Sequence, residues 1–159
     1  MGQRGVTSRH RHDLIEATLI RSAPTIELDA ETLYAILRLR AEVFVVEQEC
    51  VYLDPDGRDL EPNTLQVWVE HNGAVIATLR MMDELDGSVR VGRVVVAASE
   101  RGNGHAAALM QRSIELAAER AIVLDAQSHL APWYQRLGFG ATGPDFVEDG
   151  ILHTPMRRA

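Results

Sequence analysis

The 159-residue chain has an ordinary globular composition, 46% hydrophobic and 25% charged, which excludes a disordered chain, a collagen and a coiled coil. Its length suits one domain able to bury a core without staples. Twenty-three acidic against 16 basic residues give a net charge of −7, which disfavours nucleic acid and anionic membranes and suits a cationic substrate. The single cysteine, Cys50, excludes an internal disulfide framework or a Cys-rich metal cluster and fits a reducing, cytoplasmic compartment.

Residues 1–23 read as a flexible polar extension, and residues 24–159 as one domain. Arg4, Arg9 and Arg11 are followed by Asp13, Glu16 and Arg21, so no uninterrupted apolar run marks export. A weak helical pattern at Leu14, Ile15, Leu19 and Ile20 is the extension's one regular feature. Asp29 can cap a helix from Ala30 to Val43, with Leu33, Ile36, Leu37 and Phe44 at helical spacing. A turn-rich loop follows, with Asp54-Pro55-Asp56-Gly57 and Glu61-Pro62-Asn63. Gln66–Glu70 and Ala74–Met82 form a hairpin around His71-Asn72-Gly73, because Asn-Gly tolerates positive φ. Ala74–Met82 is the longest apolar stretch; Arg80 breaks it and it is far too short for a membrane span. After the Asp86-Gly87 turn, Val89–Val96 is a β-branched strand. A helix runs from Gly104 to Glu119 with Leu109, Met110, Ser113 and Ala117 along one side. Ala121–Ala126 is a short buried strand, and Pro132 opens a helix ending near Gly138. The tail contains strand pieces separated by Gly143-Pro144 and Asp149-Gly150. The order predicts a mixed α/β layer fold.

The informative stretch begins at Val94-Val95-Val96 and passes through Arg101-Gly102-Asn103-Gly104-His105-Ala106 into a helix. Outward-pointing N–H groups and the positive end of the helix dipole make such a turn suited to phosphate. A plain tight turn, with glycines serving only φ, is the alternative. Gly102-x-Gly104-x-x-Ala107 with Asp125 further on also matches a loose dinucleotide fingerprint. That pattern fails in context, since Ala97–Arg101 separate it from its strand and only 52 residues follow Ala107. A Walker loop fails because no Lys-Ser/Thr pair follows the glycines.

Val-x-Val followed by Arg101-x-x-Gly104-x-Ala106 and a helix resembles the acyl-CoA-binding motif of the GCN5-related N-acetyltransferases (GNAT). Tyr134-x-x-x-Gly138-Phe139 resembles that superfamily's second signature. Three further pieces resemble its ElaA-like branch: Leu39-Arg40-x-x-Val43-Phe44-Val45-Val46-Glu47-Gln48, the Asp54-x-Asp56-Gly57-x-Asp59 loop, and Glu148-Asp149-Gly150-Ile151-x-His153. The resemblance spans about residues 27–158.

The resemblance implies a mostly antiparallel sheet that splays between its fourth and fifth strands, Val89–Val96 and Ala121–Ala126. It implies acetyl-CoA as cosubstrate and direct transfer to a small-molecule or peptide amine, with no covalent intermediate. The pantetheine arm would bond the main chain of Val94 and Val96 as an added strand. The pyrophosphate would rest on N–H groups from Arg101 to Ala106, and a donor near Val95 or Val96 would polarise the thioester carbonyl. Tyr134 matches the position that protonates the departing thiolate. Gln127 stands where relatives carry an Asn. His105 departs from the usual aliphatic residue, and Pro132-Trp133 from a plain helical stretch.

The base that deprotonates the amine is less constrained: Glu47, Glu84, His129, His153 and Glu148 all qualify, and His129, which lies near the acyl end by sequence, is the first choice. The Asp-rich loop lacks the glycine and glutamate positions of a calcium loop, so its carboxylates cap turns or face the amine pocket. The histidines form no ligand cluster, so no metal is expected. No Gly-x-Ser-x-Gly elbow is present, and Cys50 has no activating neighbour. Trp68 and Trp133 read as core or pocket wall. A non-catalytic acyl-CoA sensor and an enzyme using longer acyl-CoA or an acyl carrier protein remain alternatives, and a homodimer is compatible with the chain.

Overall fold

The structure, a computed structural model, describes residues 18–159. Thr18–Pro24 forms β1, paired antiparallel with β2 (Leu65–His71) from Thr18↔His71 to Pro24↔Leu65. The last residues of the expected flexible extension are therefore an edge strand, with Leu19 and Ile20 in a ladder instead of a helix. Residues 1–17 of that extension, including Leu14 and Ile15, lie outside the described residues.

Asp29 caps α1 (Ala30–Arg40), its Oδ1 accepting the Thr32 N–H at 2.7 Å. The α-helix does not reach Val43 as the spacing predicts. Ala41–Glu47 widens into a π-helix, in which the Gln48 N–H reaches back to the Val43 carbonyl at 2.9 Å. Val43, Val45 and Val46 weaken α propensity here. Val43 packs with Leu39 and Val95, fastening the widened turn to the sheet. Such turns recur at functional sites because they re-aim side chains.

β2 and β3 (Ala74–Asp83) form the expected hairpin; Asn72 and Gly73 take φ of +50° and +82°, the left-handed values a tight turn needs. β3 pairs with β4 (Val89–Val96), which carries an extra residue: Arg80 faces Gly92, but Thr78 faces Val95. Arg93, inside this bulge, has φ +54°. A non-glycine residue there costs about 1–2 kcal/mol, and ion pairs described below hold it. α2 (His105–Ala117) buries Leu109, Met110, Ser113 and Ala117, the side its spacing predicts.

β5 (Ile122–Gln127) runs parallel to β4 but pairs with it only at Val89↔Ile122 and Arg90↔Val123. Beyond those residues the two strands part. α3 (Ala131–Arg136) follows, with Pro132 in its first turn. The tail folds as β6 (Gly140–Ala141), β7 (Phe146–Glu148) and β8 (Ile151–Arg158). β8 pairs antiparallel with β5, β6 and β7. The result is an eight-stranded sheet flanked by helices, antiparallel except at β4–β5. Val67, Val69, Leu79, Val91, Leu109, Met110, Ile122 and Met156 centre its main core.

Candidate functional site

The parting of β4 from β5 is flanked by two adjoining spaces. A groove of about 570 Å³ runs from the β4 end to the start of α2, and a chamber of about 360 Å³ lies on the other side of the gap. Gln48, Val94, Gln127, Leu130 and Tyr134 line both, so the spaces meet at the ends of β5 and α3.

The Gly-rich turn closes one end of the groove. Gly102 and Gly104 have φ of +83° and +79°, and a Cβ at either would meet no protein atom within 4 Å. Positive φ, not crowding by the fold, therefore demands glycine here. Gly104 is the N-cap of α2 and offers no side chain, and the first main-chain donor taken up is Ala108 N–H, by Gly104 O at 3.0 Å. The N–H groups of the helix's first turn thus face the groove mouth without internal acceptors. Val94, Val95, Val96, Arg101, Gly102, Gly104, His105, Ala106 and Gln127 all line the groove, together with both expected catalytic residues; Asn103 does not. Arg101 is already engaged: its guanidinium grips the Glu47 carboxylate through both terminal nitrogens, and its Nε donates to Val96 O at 3.3 Å. The Arg101 hydrogen bond holds the Glu47 carboxyl below its ordinary range. His105 lies 3.8 Å from Glu100.

Tyr134 is 6% exposed, packed edge-on against Trp133 and Phe139 with ring centroids 4.9 and 6.0 Å away. Its hydroxyl donates to no protein acceptor among the described residues. Burial pushes its phenol up to about 12, so the group keeps its proton at neutral pH. The Pro132-Trp133 departure has not turned the ring away from the gap. Gln127 donates from Nε2 to Gln48 Oε1 at 3.1 Å, which ties β5 to the residue that follows the π-helix. His129 is exposed on the groove side and does not line the chamber.

The chamber floor is an ionic network whose extent is not legible in the sequence. Arg40, 0% exposed, donates to Asp54 Oδ2 at 2.8 Å and to Asp59 Oδ1 at 2.7 Å. Arg80 clasps Asp56 with two bonds of 2.9 and 3.1 Å. Arg93 bonds Asp56 Oδ2 and the Asp54 carbonyl, each at 3.2 Å, and its Nε lies 2.9 Å from Asp54 Oδ1. Its guanidinium also covers the Tyr52 ring at 5.3 Å. Tyr52 donates to Asp54 Oδ1 at 2.6 Å, and burial with that bond raises its phenol. The Asp-rich loop thus neutralises three arginines, pins the β4 bulge, and presents Asp56 and Tyr52 to the chamber. The Asp-x-Asp spacing signalled carboxylates; nothing local signalled that their partners are 14 to 39 residues away.

Burial alone would raise the Asp56 carboxyl, but Arg80's hydrogen bond, the Arg58 N–H and the charges of Arg80 and Arg93 pull it down to about 2. Asp59 is also lowered, the bond and charge of Arg40 outweighing its burial. A lowered folded-state value adds stability that is complete above the unfolded value near pH 4 and is lost as pH falls through the folded one. The urea midpoint is therefore expected to fall between about pH 4 and pH 2, and Asp56→Asn to flatten that fall. An unchanged acid profile in Asp56→Asn would contradict the assignment.

A family model described as "Acetyltransferase (GNAT) domain" matches residues 42–159. A UPF0039 protein of Mycobacterium tuberculosis is 42% identical over 136 residues, covering 83% of this chain and 87% of that protein. Two solved structures superpose closely. An acyl-CoA N-acyltransferase from Pseudomonas aeruginosa gives a TM-score of 0.86 at 38% identity, covering 90% of this chain and 100% of the other. Escherichia coli ElaA gives 0.84 at 34% identity, with the same coverage.

Proposed function

This chain belongs to the GNAT acetyltransferase family, in its ElaA-like branch, and on that premise we propose that it is an acetyl-CoA-dependent N-acetyltransferase acting on small-molecule or peptide amines. The acetyl group passes directly to the amine, with no acyl-enzyme. The observation that carries this reading is the meeting of groove and chamber at Gln127 and Tyr134, so that a donor from one side and an acceptor from the other reach one point.

The residues present fit acyl-CoA as substrate. The diphosphate is anionic, and the turn from Arg101 to Ala106 offers main-chain donors at a helix N-terminus with open space over both glycines. Arg101 exchanges its bonds to Glu47 and Val96 O for phosphate oxygens. The parted edge of β4 at Val94 and Val96 offers main-chain groups to the amides of the pantetheine arm. A donor near Val95 or Val96 polarises the thioester carbonyl. Tyr134, protonated at neutral pH, gives the departing thiolate its proton. Gln127, held by Gln48, orients the arm or the incoming amine. The lone thiol, Cys50, is free and buried, in keeping with a cytoplasmic setting.

Calorimetry with acetyl-CoA and longer acyl-CoAs, joined to thiol release against a panel of amines, tests the reading. The sequence contains no lysine, so the chain offers no side-chain amine of its own to blur that assay. Binding of acetyl-CoA without thiol release from any acceptor would favour a sensor. Preference for longer or carrier-bound chains would shift the donor. Tyr134→Phe is expected to lower kcat by about 10–100-fold, within the range of acid–base catalysis, while acetyl-CoA affinity stays within about twofold; the shape of the phenyl ring keeps the Trp133 and Phe139 contacts. Equal loss of both quantities would make Tyr134 structural.

A further inference from the structure

We infer that His153 is the general base that takes the proton from the acceptor ammonium, an assignment that rests on the transferase reading above. His153 lies on β8 directly opposite Gln127 of β5. Directly paired residues project to the same face of a sheet with Cβ atoms about 5 Å apart, and Gln127 lines both groove and chamber. The imidazole therefore stands beside the point where donor and acceptor meet, and it lines the chamber.

Its tautomer is fixed by its surroundings. Nδ1 lies 2.8 Å from the Ile151 carbonyl oxygen, which can only accept, so Nδ1 carries the proton. In the neutral ring Nε2 is left with its lone pair. Stacking on Phe146, with centroids 5.7 Å apart and planes 21° from parallel, holds the ring plane. A base needs a bare nitrogen in a set direction, and both conditions are met here.

The charges around the chamber favour an ammonium as the arriving species. Its arginines are each paired within the protein: Arg58 with Glu61, Arg80 with Asp56, Arg90 with Glu84 and Asp125, Arg93 with Asp54 and Asp56. Glu148 and Asp149, at the β7–β8 turn, line the same chamber and have no ion-pair partner among the described residues. The groups that share the space with His153 are thus Glu148 and Asp149, Asp125 from β5, Arg90 and Arg93 from β4, the Arg80–Asp56 pair, Arg58, Cys50, Tyr52 and Tyr134. The two free carboxylates attract the cationic acceptor, and Nε2 removes one proton to expose its lone pair. The C–N bond then forms and the C–S bond breaks. The amine's second proton is released as the amide forms and balances the one that Tyr134 gives the thiolate; the proton on Nε2 leaves to solvent.

His153→Asn keeps an N–H that can reach Ile151 O and removes Nε2. With acetyl-CoA and the fastest acceptor of a panel of primary alkylamines, diamines and amino-acid amides, its kcat/KM for the amine is expected to fall by about 10²–10⁴ at pH 7. Acetyl-CoA affinity is expected to stay within about twofold, because Nε2 touches the amine and not the cosubstrate. The deficit narrows about tenfold or more towards pH 9, as solvent deprotonates the amine, and added imidazole restores part of the rate. His71→Asn, at the end of β2 and outside the lining of both spaces, is expected to keep kcat/KM within about threefold. A wild-type rate in His153→Asn, a deficit independent of pH, or a loss carried by His129→Asn instead would overturn the assignment. Failure of the unmodified protein to bind acetyl-CoA or release thiol would overturn the transferase reading. Nitrogen-15 spectra read the tautomer with or without turnover, and a proton found on Nε2 would by itself overturn the role of His153.

Discussion

Gly104→Glu is expected to abolish acetyl-CoA binding. Gly104 has φ +79° at the N-cap of α2, and a Cβ there points into open groove. The glutamate carboxylate would reach the first-turn N–H groups, which are electropositive donors, and hold them in place of the diphosphate. Losing two charge-assisted bonds costs about 3 kcal/mol or more, roughly a 100-fold rise in Kd. The left-handed backbone adds about 1–2 kcal/mol of destabilisation that has nothing to do with the ligand. Gly73→Ala separates the two effects: Gly73 has φ +82°, also in open space, but sits in the β2–β3 turn far along the chain from the groove residues. It should lose a similar amount of stability and keep full affinity. Calorimetry on both variants decides, and wild-type affinity in Gly104→Glu would remove the diphosphate from this turn.

The largest effect on stability is expected from Arg40→Met. The methionine fills much of the same volume but takes from Asp54 and Asp59, 3% and 7% exposed, the one guanidinium that bonds both, leaving Arg93 beside Asp54 and Arg80 beside Asp59. With Arg40 present, three arginines and three aspartates balance (Arg40, Arg80 and Arg93 against Asp54, Asp56 and Asp59). Removing one partner of a buried pair costs about 3–5 kcal/mol, a large share of a domain's usual 5–15 kcal/mol. The sign of its pH dependence follows from Asp59, whose carboxyl Arg40 helps hold low. Without that cation Asp59 protonates more readily, so the deficit shrinks as pH falls. Urea unfolding at pH 7 and pH 5 measures both quantities. Arg40→Met with Asp59→Asn should recover part of the loss, since the pair is coupled. A loss below about 1 kcal/mol would mean that solvent already screens this network.

These two residues mark what can be read from the chain and what cannot. The turn from Arg101 to Ala106, the strand before it and the helix after it are local patterns. Glycine, a β-branched run and helical periodicity act within a few residues of themselves, so the groove's main-chain cradle was legible in the sequence. The same holds for the buried side of α2, for the hairpin at Asn72-Gly73 and for Tyr134 in its short helix. The resemblance to GNAT proteins rested on such local signatures, and the family and the splayed sheet followed from them.

Other features depend on contacts between distant segments. The π-helix from Ala41 is fastened where Val43 meets Val95, and β1 forms because Leu65–His71 is there to receive it. The carboxylates of Asp54, Asp56 and Asp59 were visible, but their arginines lie on α1, β3 and β4. His153 was one of five candidate bases, behind His129, until strand pairing set it opposite Gln127 and a main-chain carbonyl fixed its proton. The Gly-rich turn could be read from the chain because main-chain conformation answers to neighbours along it. The chamber emerged only on folding, because charge pairing and the aim of a side chain answer to neighbours in space.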